Sequence, residues 1–171
     1  MRYNLDDITE YQHKQCVLFS RFSVYSSLDE YSRRNQKNKE KIVSDIYNGK
    51  KAEFMVYNFF LHKSYDLNSP DVNIYHKFMK SYDADLILTN VKLHVKSHKI
   101  NTNFPVSWLF QKNDPLLTTT DENNFLSLVV IGLDESYMYL KRISEVEFKE
   151  PMKESLKDTK VCVYEKDLLN L

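Results

Sequence analysis

Apolar residues in the first third of the chain recur at helical spacing. Cys16, Val17, Leu18, Phe19, Phe22, Val24, Tyr25 and Leu28 form a stripe, and residues about 5–47 are expected to be helical. Ser27 is of the right type to cap a second helix begun at Leu28. The tract RRNQKNKEK (33–41) is nearly devoid of apolar residues and reads as a solvated face or loop. After Asn48-Gly49, Ala52, Val56, Phe59 and Phe60 again repeat at helical spacing, which predicts an amphipathic helix over 48–63. Glu53 stands at the edge of that buried stripe, where an acid is not a routine surface residue.

Past the loop around Pro70-Asp71, with some helix expected over 74–79, the period changes to two. DADLIL and VKLHVKS read as strands, as does NFPVSWLFQ (103–111). FLSLVVIGLDE (125–135) is apolar on both faces, as a central strand requires, and YMYLKRI (137–143) reads as its hairpin partner. The tail VCVYEKDLLNL predicts a short strand and a turn of helix. Helices first and strands afterwards make an α/β (α+β) fold, a central mixed sheet flanked by helices. Residues 1–47 are expected as an N-terminal helical extension packed on a core formed by 48–171, one domain overall.

The hairpin at 83–97 repays register arithmetic. If Thr89-Asn90 is a two-residue turn, antiparallel partners have numbers summing to 179. Asp85 then opposes His94 and Asp83 opposes Lys96. Because side chains alternate, Asp83, Asp85, Ile87, Lys92, His94 and Lys96 share one face, while Val91, Leu93 and Val95 point into the core. One ribbon thus gathers carboxylates, an imidazole and an ammonium, either as cross-strand ion pairs on a solvated face or as a site.

Composition narrows the possibilities. The 171 residues carry 24 Lys+Arg and 24 Asp+Glu, so no whole-molecule field attracts a polyanion. The charge is uneven, however: Arg33 to Lys63 holds eight basic residues against Glu40, Asp45 and Glu53, a local basic face. Only 2 glycines exclude a Walker or Rossmann phosphate loop. Cys16 and Cys162 make neither a disulfide framework nor a paired-Cys zinc pattern, and Cys16 falls in an apolar stripe as a core thiol. His94 and His98 share a strand face but lack a third zinc ligand at recognised spacing. There is no apolar run long enough to span a bilayer and no leader-like h-region, so a cytoplasmic protein without a membrane partner is expected. Abundant Lys, Asn, Ile and Tyr suggest a phage or mobile-element origin, with the host cytoplasm as the setting.

Paired carboxylates with a lysine are what phosphodiester hydrolysis needs. A divalent ion polarises the phosphate and lowers the pKa of an attacking water. Mg²⁺ takes one or two protein carboxylates, and a neighbouring ammonium stabilises charge on the phosphate. Asp85, the nine-residue step to position 94, and Val95-Lys96-Ser97 resemble the active hairpin of PD-(D/E)XK nucleases, the restriction-endonuclease-like superfamily. NGKKAEFMVYNFF is similar to the Gly-x-x-Ala-Glu helix of many members, and SWLFQ with FLSLVVIGLDE looks like their later core strands. The likeness covers about residues 48–143.

The resemblance implies Mg²⁺-dependent (or Mn²⁺-dependent) DNA cleavage leaving a 5′-phosphate. It implies catalytic residues Glu53, Asp85, His94, Lys96 and Gln111, with Asp85, Glu53, His94 and Asp83 as metal ligands. His94 departs from the family, which has an acid or Gln there. Histidine suits Mn²⁺ better than Mg²⁺, and Asp83 would supply the missing oxygen. The literal Pro70-Asp71 pair lies in a loop too far upstream of the hairpin to be the family's aspartate, so Asp85 is taken for that role. Lys50, Lys51, Lys92, Ser97, Lys99, Arg33 and Arg34 are expected to contact nucleic acid, with DNA the first partner and RNA open. Double-strand cutting would favour a homodimer. The alternative is an inactive nucleic-acid- or protein-binding module on the same fold.

Overall fold

The computed structural model describes residues 1–33, 37–75, 84–100 and 103–169, with 27–30, 32 and 33 described by backbone alone. A five-stranded mixed sheet runs in the order β1-β6-β5-β3-β2, built from Arg2–Leu5 (β1), Leu86–Leu88 (β2), Val91–Lys99 (β3), Asn124–Ile131 (β5) and Ser136–Arg142 (β6). β3 and β5 are parallel, and the other pairs are antiparallel. Helices α1 (Glu10–Arg33) and α2 (Lys39–His62) pack on each other, and α2 lies against one sheet face. The opposite face is covered by a separate two-stranded ribbon, β4 (Ser107–Gln111) with β7 (Lys160–Tyr164), followed by the one-turn helix α3 (Glu165–Leu168). The mixed α/β class with a helix-flanked sheet is therefore present.

Two cores follow from strand alternation. Leu93, Val129, Ile131 and Met138 face Ala52, Met55, Val56 and Phe60 of α2. Leu126, Leu128, Val130 and Tyr139 face Trp108, Phe110 and Val163 of the ribbon, which Trp108 ties down by donating its indole N–H to the Val129 carbonyl (3.0 Å). β5 is buried along nearly its whole length because it is central and covered on both sides. Gly132 ends it where the chain doubles back, since a Cβ there would collide with the Glu135 carbonyl.

Several expectations need correction. Residues 2–5 form an edge strand of the sheet, not helix, so the N-terminal segment is part of the core. α1 runs unbroken through Ser27, and no second helix starts at Leu28. α2 begins at Lys39, capped by Asn38 Oδ1 accepting from the Lys41 amide (3.0 Å). The expected boundary at 47/48 therefore falls inside a helix. Asn48-Gly49, which looked like a helix start, sits mid-helix because Asn48 is buried by tertiary packing. SWLFQ pairs with β7 in the covering ribbon and is not a strand of the main sheet. The helix expected over 74–79 lies mostly outside the described residues.

Gly49 offers a simple check on this local structure. A Cβ built there meets nothing within 4 Å, and glycine costs a helix interior about 0.8–1.0 kcal/mol relative to alanine. Gly49→Ala is expected to raise the free energy of unfolding by about 0.5–1 kcal/mol in a urea titration with unchanged slope.

Candidate active site

The hairpin has the expected register. Leu86 opposes Leu93, Ile87 opposes Lys92 and Leu88 opposes Val91, with Thr89-Asn90 as the turn. Thr89 has a positive φ of 54°, the left-handed region a tight hairpin turn demands. β2 begins only at Leu86, so the Val95 amide has no strand partner there. The Asp85 carboxylate takes that role, accepting from Val95 N–H at 2.7 Å.

Beside Asp85 lies a buried ionic pair on α2. Lys50 and Glu53 are three residues apart and thus one turn apart on the same helix face. The Lys50 Nζ donates to Glu53 Oε2 at 2.5 Å and to the Asp71 backbone carbonyl at 2.7 Å. It also stands 4.6 Å from the centre of the Phe19 ring on α1. Both side chains are almost sealed, at 9% and 13% exposure. Burial pushes the Glu53 carboxyl up to about 8; Lys50 opposes this, while Asp85 and then Asp71 push it further. Glu53, Asp85 and Asp71 therefore share one electrostatic neighbourhood around one ammonium. Cys16 lines it from α1 as a fully buried thiol, raised to about 11 chiefly by burial.

The loop after α2 brings Asp71 there. Leu67 bridges Leu88, the Asn68 amide donates to the Ile87 carbonyl (3.3 Å), and Asn68 Oδ1 accepts from the Ile87 amide. The loop thus extends the sheet edge beside β2 and returns the chain to Lys50 through buried Pro70. Asp71 Oδ1 accepts from the Asn73 amide (2.9 Å) and from Asn73 Nδ2 (2.8 Å). Burial raises the Asp71 carboxyl, but these hydrogen bonds, that of Tyr75 and the charge of Lys50 outweigh it and hold the acid low.

The other expected site residues go elsewhere. By alternation and by the β3–β5 register, His94, Lys96 and His98 lie on the ribbon side of the sheet, opposite the face that packs on α2. His94 is buried, with Nε2 donating to Asn124 Oδ1 (2.8 Å), so that nitrogen is engaged and the ring is on the wrong face to join Glu53. Lys96 Nζ sits 5.5 Å from the centre of the Phe110 ring. Gln111 alternates with Trp108 and Phe110 and therefore shares the outward face of the ribbon with Leu109; it does not support the Glu53–Asp85 group. Asp83 and Arg34 lie outside the described residues, as does the Arg33 side chain.

The expected phosphate contacts are not one patch. Lys50 is buried in the ion pair, not exposed. Ser97 is half-buried and, by alternation, on the α2 side of β3. Lys92 is exposed near Asp121 (3.3 Å). Lys99, seven residues along the same strand, is about 23 Å away at 3.3 Å per residue. There it lines an open cleft of ≈ 450 Å³ together with Lys51, whose ammonium is paired with Asp7 at 2.8 Å.

Sequence reasoning missed two members of the group around Glu53. Lys50 carried a readable signal in its i, i+3 spacing to Glu53. Asp71 carried none, because the pairing of the loop with β2 is tertiary. Among the described residues no three Asp, Glu, His or Cys side chains stand close enough to form a metal centre unaided, and no helix is long and apolar enough to cross a membrane. No family model, curated protein or solved structure matches the chain.

Proposed function

We propose that this protein is a divalent-metal-dependent endonuclease hydrolysing DNA phosphodiesters, with a restriction-endonuclease-like core. Glu53 and Asp85 are its metal carboxylates, and Lys50, in place of Lys96, is the neighbouring ammonium. The observation that carries the reading is the buried Glu53 carboxyl held against both Lys50 and the neighbourhood of Asp85. Burying an acid beside other acids is unfavourable unless a cation repays it. The architecture around it also supports the reading: a hairpin whose second strand runs parallel to a buried central strand, preceded by a helix bearing the glutamate.

The donor set fits Mg²⁺, which binds hard oxygens and takes one or two protein carboxylates. His94 does not fit, and the reading assigns it no ligand role. When bound, the ion polarises the phosphate and lowers the pKa of a water. Glu53 in its ionised form and Asp85, oriented by the Val95 amide, would hold the ion. Lys50, beside Glu53, would stabilise negative charge on the phosphate.

A second reading, a binding module without activity, draws on the closure of Lys50 onto Glu53 and on the engagement of His94 by Asn124. One assay separates the two. Plasmid DNA is incubated with purified protein and Mg²⁺ or Mn²⁺, beside Asp85→Asn and Lys96→Ala variants whose folding is checked by thermal melts. Cleavage is expected for the wild type and Lys96→Ala, and at least a hundredfold slower for Asp85→Asn, the loss typical of removing a central electrostatic group. Loss in Lys96→Ala alone would move the chemistry to the ribbon face. No cleavage of any DNA or RNA form would leave the binding module.

A further inference from the structure

α1 is apolar on two opposite sides. Cys16, Ser20 and Val24 are buried toward α2, while Tyr11, Leu18, Phe22 and Tyr25 are 71%, 56%, 59% and 73% exposed. At 100° per residue these four fall within an arc of about 60° directly opposite the buried side. With Gln15 between them the positions step 11, 15, 18, 22, 25, alternating four and three. That is the heptad seam by which one helix packs along another, and none of the described residues covers it.

We infer that this face is a homodimer interface in which α1 pairs antiparallel with α1 of a second copy about a two-fold axis at Leu18. The stripe complements itself under that operation. Numbers of opposed residues sum to 36, so Leu18 meets Leu18, Tyr11 meets Tyr25, Lys14 lies over Phe22 and Gln15 lies against Arg21. Aromatic pairing favours the Tyr11–Tyr25 match and cation–π contact the Lys14–Phe22 match, and a polar residue within a seam fixes its register. The size is adequate. Side chains of this class bury about 150–250 Å² each, so four at these exposures offer on the order of 500 Å² per copy. Two copies then reach the ≈ 1,000 Å² that a specific interface requires. A net charge of zero adds no long-range repulsion between copies. The inference does not depend on the nuclease reading.

Sedimentation velocity at tens of micromolar is expected to give twice the 20.4 kDa mass of the chain. The exposed-face variant Leu18→Glu/Phe22→Glu is expected to sediment as a monomer that still melts cooperatively, at a temperature that no longer depends on protein concentration. Because Cys16 and Cys162 are buried, introduced thiols report the arrangement. Leu18→Cys should cross-link to itself under mild oxidation. Tyr11→Cys should cross-link only when mixed with Tyr25→Cys. A monomeric wild type, a dimer indifferent to the double glutamate change, or self-cross-linking of Tyr11→Cys would each overturn the inference.

Discussion

Above about pH 8, where its carboxyl is ionised, Glu53→Leu is expected to lower the stability of the fold by about 3–5 kcal/mol, the cost of leaving one partner of a buried ion pair uncompensated. For a chain of this length that corresponds to a drop in melting temperature of about 10 °C. The reason is Lys50. Its ammonium is sealed between α1, α2 and the 67–71 loop, and it is left with only the Asp71 carbonyl and the Phe19 ring once the carboxyl is gone. Glu53→Gln retains an oxygen at the same place and should cost far less. The double variant Lys50→Met/Glu53→Leu removes both charged groups while keeping their volume, and should recover most of the lost stability. Urea titrations of the wild type, Lys50→Met, Glu53→Leu and the double variant give the coupling energy directly. Additive single and double variants would mean that the 2.5 Å contact has no energetic weight.

A second large effect concerns pH and divalent ions. Burial pushes the Glu53 carboxyl up to about 8 in the folded chain, against 4.5 for the free side chain. Between these values the folded protein holds a proton that the unfolded chain has released. The folded pKa is raised, so the contribution of Glu53 is fully present below about pH 4.5 and is lost as pH rises through about 8. The wild type should therefore lose stability relative to Glu53→Gln across that window, by a few kcal/mol at about 1.4 kcal/mol per pH unit. Millimolar Mg²⁺ or Mn²⁺ should restore the loss at pH 8 in the wild type but not in Glu53→Gln or Asp85→Asn, because only the ionised carboxylates bind it. An identical pH profile for wild type and Glu53→Gln would remove the perturbed acid. A profile that differs but ignores both metals would remove the metal role and favour a structural ion pair.

The two expectations meet at one group. The contact that stabilises the fold also occupies the glutamate that the proposed chemistry needs. A chain in which metal binding loosens Lys50 from Glu53 would exchange a monovalent cation partner for a divalent one. Exceptions to the rules of burial are characteristic of functional sites, where the surroundings hold them in place.

Much of the secondary structure and one register were legible in the order of residues alone. Alternation in FLSLVVI and helical repetition around Ala52, Met55 and Val56 report directly which faces are buried, because burial is what apolar side chains select. The Thr89-Asn90 turn fixed the pairing of 86–88 with 91–93, since a short hairpin leaves only one register that keeps Leu93 inside. Sequence pattern also singled out Glu53 as an acid at a buried edge.

Which faces meet depends on long-range packing, not on local pattern. Local pattern says that His94 and Lys96 share a strand face, but not which layer covers it. The β4–β7 ribbon takes that face and α2 takes the other, so the hairpin lysine and the helix glutamate end up on opposite sides of one sheet. The ammonium beside Glu53 comes instead from one turn away on α2. Asp71 arrives through a loop whose pairing with β2 rests on backbone groups that every residue carries and on one asparagine side chain, Asn68, which leave no pattern in the sequence.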